Sequence, residues 1–132
     1  PVFVAIASTD EAESNKLVIG LPGNPVSVLA TAHLILWPVL RRMLSPATAE
    51  NKITQPILPW RQVILAQEVM SRAKRQIFRA AQLLDDSTVS VVAWHGSGDL
   101  MHTAAADGWL RLPLQDNPVQ TSTRLPFLPM VG

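Results

Sequence analysis

Cysteine and tyrosine are both absent from the 132-residue chain. Without thiols there is no disulfide framework, no thiolate metal cage and no cysteine nucleophile, which argues against a small secreted scaffold and suits a reducing compartment. Charge is scarce as well. Only 16% of residues are charged and the formal net charge is +1, so there is no whole-molecule field to hold duplex nucleic acid. Four tryptophans and three phenylalanines leave few platforms on which a small barrel could stack single-stranded bases. The longest apolar run, Pro25 to Leu40, has 16 residues against the roughly 20 that a bilayer crossing needs. It contains His33 and Pro38 and ends in Arg41 and Arg42. The opening PVFVAIASTDEAE lacks a basic stretch and soon turns acidic, unlike a secretory leader. A cytoplasmic location, with no membrane and no nucleic-acid partner, is expected.

An apolar content of 48% fits one compact soluble domain. Eleven prolines are too many for a helical bundle, since each removes a backbone donor and fixes one dihedral. The texture of the chain changes near Ser45-Pro46. Before it, residues Pro1 to Ala7 and Lys16 to Ile19 read as two strands, both open to burial, around a polar turn at Ser8 to Asn15. A helix follows, because Val28, Ala32, Ile35, Leu36, Val39, Leu40 and Met43 recur on one helical face. Asn24 suits its N-cap and Pro25 its first position, where a missing N–H costs nothing. Pro38 should kink or divide it, and Ser45-Pro46 should end it. One helix and two strands cannot bury that face alone, so residues 1 to 45 read as the end of a larger α/β layer whose upstream part is missing.

Beyond residue 46 the helical period is lost. Gln62 to Val69, Ile77 to Leu84 and Ser87 to Trp94 have strand length, and Val89, Val91 and Ala93 fall on one side of the third. Asp85-Asp86-Ser87 suits a hairpin turn. A short helix at Leu100 to Ala106, closed by Asp107-Gly108, precedes a strand at Trp109 to Leu112. Many short strands with few helices predict a small β-barrel or sandwich.

Two loops could carry chemistry. Gly20-Leu21-Pro22-Gly23-Asn24-Pro25-Val26-Ser27 joins a strand to a helix, so its amides and the helix N-terminus could face an oxyanion or phosphate. Its prolines stiffen the turn, which lowers the ordering cost of binding. The same residues also make an ordinary capped connection, and no Walker lysine is present. In Trp94-His95-Gly96-Ser97-Gly98-Asp99-Leu100, Ser97 lies between glycines before a helix that it or Asp99 could cap. The run is not G-x-S-x-G, so a serine-hydrolase elbow is absent. His95, Asp99 and His102 have metal-ligand spacing for a helix, but Gly96 and Gly98 argue against a helix through His95, and no metal site is expected there. His33 is expected to border a packed helix. Arg72, Lys74, Arg75 and Arg79 could pair with phosphate or an acidic surface, although a solvated strand edge explains them more simply.

The run LVIGLPGNPVSVLATAHLILWPVLRRML resembles the GLPGNPVS signature and following helix of the molybdopterin molybdenumtransferase family, the MoeA type to which the gephyrin E domain is related. AWHGSGDLMHTAAADGWLRLP is similar to that family's QGSG stretch, small-residue helix, turn and Leu-Pro strand, in the right order. Arg75-Gln76-Ile77-Phe78-Arg79 is similar to its Arg-x-x-Phe-x-Arg strand with one residue fewer before the last arginine.

The resemblance implies a mixed α and β fold. Residues 1–45 would be the C-terminal end of an α/β molybdopterin-binding domain and 46–132 a β-barrel-like C-terminal domain of a longer, dimeric protein. It implies insertion of molybdate into adenylylated molybdopterin with release of AMP and help from magnesium. Pro22, Gly23, Asn24, Pro25 and Ser27 would shape the cleft floor near pterin or molybdate, and Ser97 would face it. The acidic and lysine residues that handle metal and nucleotide in the family would lie upstream, leaving this piece alone inactive. His95 stands where the family has glutamine, which changes the available donors and acceptors. A non-catalytic binding or assembly module of the same family is the alternative.

Overall fold

A computed structural model describes residues 3–9, 12–44, 58–71, 75–96 and 98–130. Strands β1 (Phe3–Thr9) and β2 (Ala12–Gly20) form an antiparallel hairpin with Val4 opposite Ile19 and Ile6 opposite Leu17. The β-branched content expected of strands is there, but the expected burial is not. Phe3, Val4, Ile6, Leu17 and Val18 are all exposed, because the sheet has only these two strands among the described residues. The polar segment also pairs further than a turn at Ser8 to Asn15 allows, with Thr9 opposite Ala12.

The helix runs from Pro25 to Leu44, as α1 (Pro25–Thr31), a π turn (Ala32–Leu36) and α2 (Trp37–Leu44). Asn24 caps it in extended geometry, accepting from Ser27 N at 3.2 Å, with Pro25 in the first turn. Pro38 has no N–H to donate and its ring crowds the preceding turn. The backbone answers with the π turn, in which Trp37 N donates to Ala32 O, so the helix is interrupted without being broken. At 20 residues it is long and apolar enough to cross a bilayer by length and composition. That corrects the shorter span read from the apolar run, since the helix continues through Arg41 and Arg42 to Leu44.

Five strands close a barrel in the order β3 (Arg61–Leu65), β6 (Thr88–Val91), β5 (Ile77–Leu83), β7 (Gly108–Leu112) and β9 (Arg124–Pro129). β3 and β6 run parallel, and β9 returns antiparallel to β3 to complete the ring. A separate pair, β4 (Val69–Met70) and β8 (Pro118–Val119), flanks it. The single strand expected over Gln62 to Val69 is therefore split into β3 and β4. Alternation along the barrel strands sends Val63, Leu65, Val89, Val91, Leu110, Leu112, Leu125 and Phe127 into one core. Ala93 lies beyond the end of β6 and is exposed, because the alternating pattern outlasts the pairing.

Asp85 Oδ1 accepts from Ser87 N and Thr88 N at 2.8 and 2.7 Å and closes the β5–β6 hairpin. These donors hold its carboxyl below the usual carboxylate range. The short helix α3 (Leu100–Thr103) is capped by Asp99 and ends before the expected Ala106. The fold is thus a strand-and-helix segment followed by a small β-barrel. The boundary expected at residues 45 and 46 lies outside the described residues.

Candidate functional site

A cleft of about 1010 Å³ opens between the start of the long helix and the barrel. Asn24 and Ser27 line one side, and Arg75, Arg79, Trp94 and Thr103 the other. Of the loop residues singled out above, Asn24 and Ser27 therefore reach the cleft. Pro22 is half-buried and Pro25 exposed, and neither is among the lining residues. Gly23 is exposed, and a Cβ added there would meet nothing within 4 Å. Close backbone approach does not explain that glycine. Ser97 lies outside the described residues.

The loop is a weaker anion site than its sequence suggests. Pro25 has no N–H, and the Ser27 N–H is taken by Asn24 Oδ1. The cap that starts the helix thus consumes a donor that would otherwise face a ligand. Cationic character comes instead from the barrel wall. In β5, Ala81 pairs with the last β6 residue, Val91, and Val92 N still donates to Ala80 O at 3.0 Å; Arg79 comes next along β5 and lines the cleft. Arg79 is half-buried and lies 5.7 Å from the Trp94 ring, a stacking distance for guanidinium on indole. Burial pushes its pKa below the usual arginine value, although the group stays protonated. Among the described residues it has no ion-pair partner. This corrects the reading of Arg79 as part of a solvated strand edge. Arg72 and Lys74 lie outside the described residues. The signals available in sequence were the Arg75–Arg79 similarity and, for Trp94, its place in the second loop singled out above; nothing marked Thr103 as a cleft residue.

The helix docks on the barrel beside this cleft. Trp109 is 1% exposed, and its indole N–H donates to His33 Nδ1 at 3.3 Å. Leu29 O also lies 3.0 Å from that nitrogen but already accepts from Ala32 N. The buried indole needs an acceptor more, which places the lone pair on Nδ1 and the proton on Nε2.

Under the cleft rim, Asp99 gathers two imidazoles. Its Oδ1 contacts His102 Nδ1 at 2.7 Å and its Oδ2 contacts His95 Nδ1 at 3.1 Å. The same two oxygens accept from the backbone N–H groups of His102 and His95 at 3.2 and 3.0 Å. The His102 contact is the main cause holding the Asp99 carboxyl well below the usual carboxylate range. The glycines do exclude a helix through His95, as the sequence indicates, yet they do not separate the residues. Gly96 adopts φ 128°, a conformation that glycine enters freely, and the chain turns so that the His95 ring lies 4.6 Å from that of His102.

The strand-and-helix segment and closed β-barrel together form a fold that solved structures share. No protein-family model matches the chain. Molybdopterin molybdenumtransferase 2 from two strains of Mycobacterium tuberculosis is 32% identical over 111 residues, covering 82% of this chain and 25% of that protein. Two crystal structures of the molybdopterin biosynthesis MoeA protein of Pyrococcus horikoshii share the fold. One has a TM-score of 0.68 at 25% identity, over 89% of this chain and 27% of that one; the other has 0.64 at 21%, over 82% and 26%. The chain is therefore similar to one region of these proteins and spans about a quarter of the length of the relatives it matches.

Proposed function

We propose that this chain is part of a molybdopterin molybdenumtransferase acting in molybdenum cofactor biosynthesis, and that it forms one wall of the substrate cleft. The single observation that carries this reading is Arg79, a half-buried cation with no ion-pair partner among the described residues, facing a large cleft. A buried charge without a partner is costly, and an anionic ligand would relieve that cost. Adenylylated molybdopterin and molybdate are both anionic, and a guanidinium matches phosphate oxygens two at a time. Trp94 beside it offers a flat surface for a fused ring. Asn24 and Ser27 supply neutral donors opposite, with Pro22, Gly23 and Pro25 fixing the turn that presents them; the family resemblance adds Ser97 to the binding residues proposed.

In such a reaction molybdate is inserted into molybdopterin, and AMP leaves when the phosphoanhydride that holds it is cleaved, with an oxygen of water or molybdate forming the replacing bond to phosphorus. The role of these residues would be to bind and orient the charged groups, since they include no nucleophile activated by a base. Magnesium does not fit the described wall. Hard cations want several oxygen ligands, whereas the cleft lining has one carboxylate, Asp116, and two arginines. A cytoplasmic homodimer is the assembly we infer for the parent protein, with this chain inactive alone.

The reading is tested by calorimetric titration of the chain with AMP and with molybdate. Arg79→Gln is expected to weaken binding about tenfold or more, in line with loss of a charge-assisted contact, while Arg124→Gln on the far strand leaves it unchanged. Equal affinity in both variants would remove the cleft from the account. The uncovered apolar hairpin favours a second reading, an assembly module, under which neither ligand binds.

A further inference from the structure

We propose that His95, Asp99 and His102 form a binding site for one divalent transition-metal ion of the zinc, nickel or copper class. The site is independent of the cleft reading. One ligand atom from each of the three residues can be chosen so that all lie within 4.8 Å of one another. The Asp99 contacts to the two Nδ1 atoms are 2.7 and 3.1 Å. Ligands bonded to one ion at about 2.0–2.2 Å stand roughly 3 to 3.5 Å apart, so modest ring rotations open the triad around a metal.

Helix capping alone does not account for the arrangement. A cap needs one side-chain oxygen accepting from one backbone N–H, and Asp99 Oδ1 already meets that need through His102 N. The second oxygen is fixed separately by His95 N. Both oxygens are thereby held in place before any ion arrives, and the carboxylate is ionised at neutral pH. Access is also suitable. The Asp99 side chain is 10% exposed, whereas those of His95 and His102 are 67% and 49% exposed, so the rings can turn and solvent can complete the coordination. Two imidazoles with one carboxylate select borderline metals over magnesium or calcium, which prefer all-oxygen sites. Trp94 and Thr103, the neighbours in sequence of His95 and His102, both line the cleft, whereas the three ligands themselves do not.

The test is titration of the chelator-treated 132-residue chain with zinc chloride, followed by calorimetry and by the histidine ring signals in NMR. One equivalent should bind, shifting His95 and His102 but leaving His33 in place, and magnesium chloride at the same concentration should produce no shift. His95→Asn and His102→Asn should each weaken zinc binding at least tenfold with the thermal midpoint unchanged. Asp99→Asn keeps a capping residue and should weaken it as well. No saturable zinc binding by the parent chain, or binding that survives both histidine substitutions, would overturn the proposal.

Discussion

Gly108 is the residue at which the barrel tolerates least. It opens β7 opposite Pro129 and Ala81, and a Cβ placed there would lie 2.4 Å from Leu128 O and 2.3 Å from the Phe127 ring. The ring is completely buried and the carbonyl belongs to the backbone, so neither can yield cheaply. Gly108→Ala should therefore destabilise the chain by about 1–3 kcal/mol, the usual cost of overpacking, read as a lower urea midpoint with unchanged slope. Gly20 makes the contrast. The three atoms nearest its Cβ would all belong to the Phe3 side chain, which is 60% exposed and free to turn away. Sequence alone marked Asp107-Gly108 as a helix stop. The steric demand came from a strand twenty residues later, which no local pattern reveals.

At the scale of elements, the hydrogen bond from the Trp109 indole to His33 joins the long helix to the barrel. Replacing His33 with Leu keeps comparable volume but leaves the Trp109 indole N–H buried without its acceptor. The expected cost is about 1–3 kcal/mol. In a double-mutant cycle with Trp109→Phe the two losses should be less than additive, because the second substitution removes the orphaned donor. Additive losses would mean that the pair does not interact in solution. The helix itself was legible: the apolar repeat, Asn24 and Pro25 give its start and its face. The π turn was not, because it is one of several ways to accommodate Pro38 and no local sequence pattern selects among them. The barrel strands were legible from alternation and turn residues such as Asp85. A barrel or sandwich was legible too, and the resemblance implied the barrel; the order of strands around it was not, because β3 meets β6 and β9 across long separations in the chain. For the site, the two loops were visible as motifs, whereas the partnering of Arg79 with Trp94 needed the barrel to form first.

Over the whole molecule, packing is uneven. The barrel has a continuous core, while the hairpin exposes apolar residues on both faces: Val4 and Ile6 with Leu17 on one, and Phe3 with Val18 on the other. An isolated two-stranded sheet is marginal in water, because its hydrogen bonds lack a layer of side chains to exclude solvent. Stability should accordingly divide along the chain. In native-state hydrogen exchange, the amides of β5, β7 and β9 should open only with global unfolding, whereas those of β1 and β2 should exchange at least tenfold faster. A partner that covers the hairpin would remove the difference without altering the barrel amides. Equal protection in a dilute sample of the chain alone would show that the hairpin is buried in solution against a second copy or another part of the protein. Raising the concentration decides between these, since only association between copies strengthens protection with concentration.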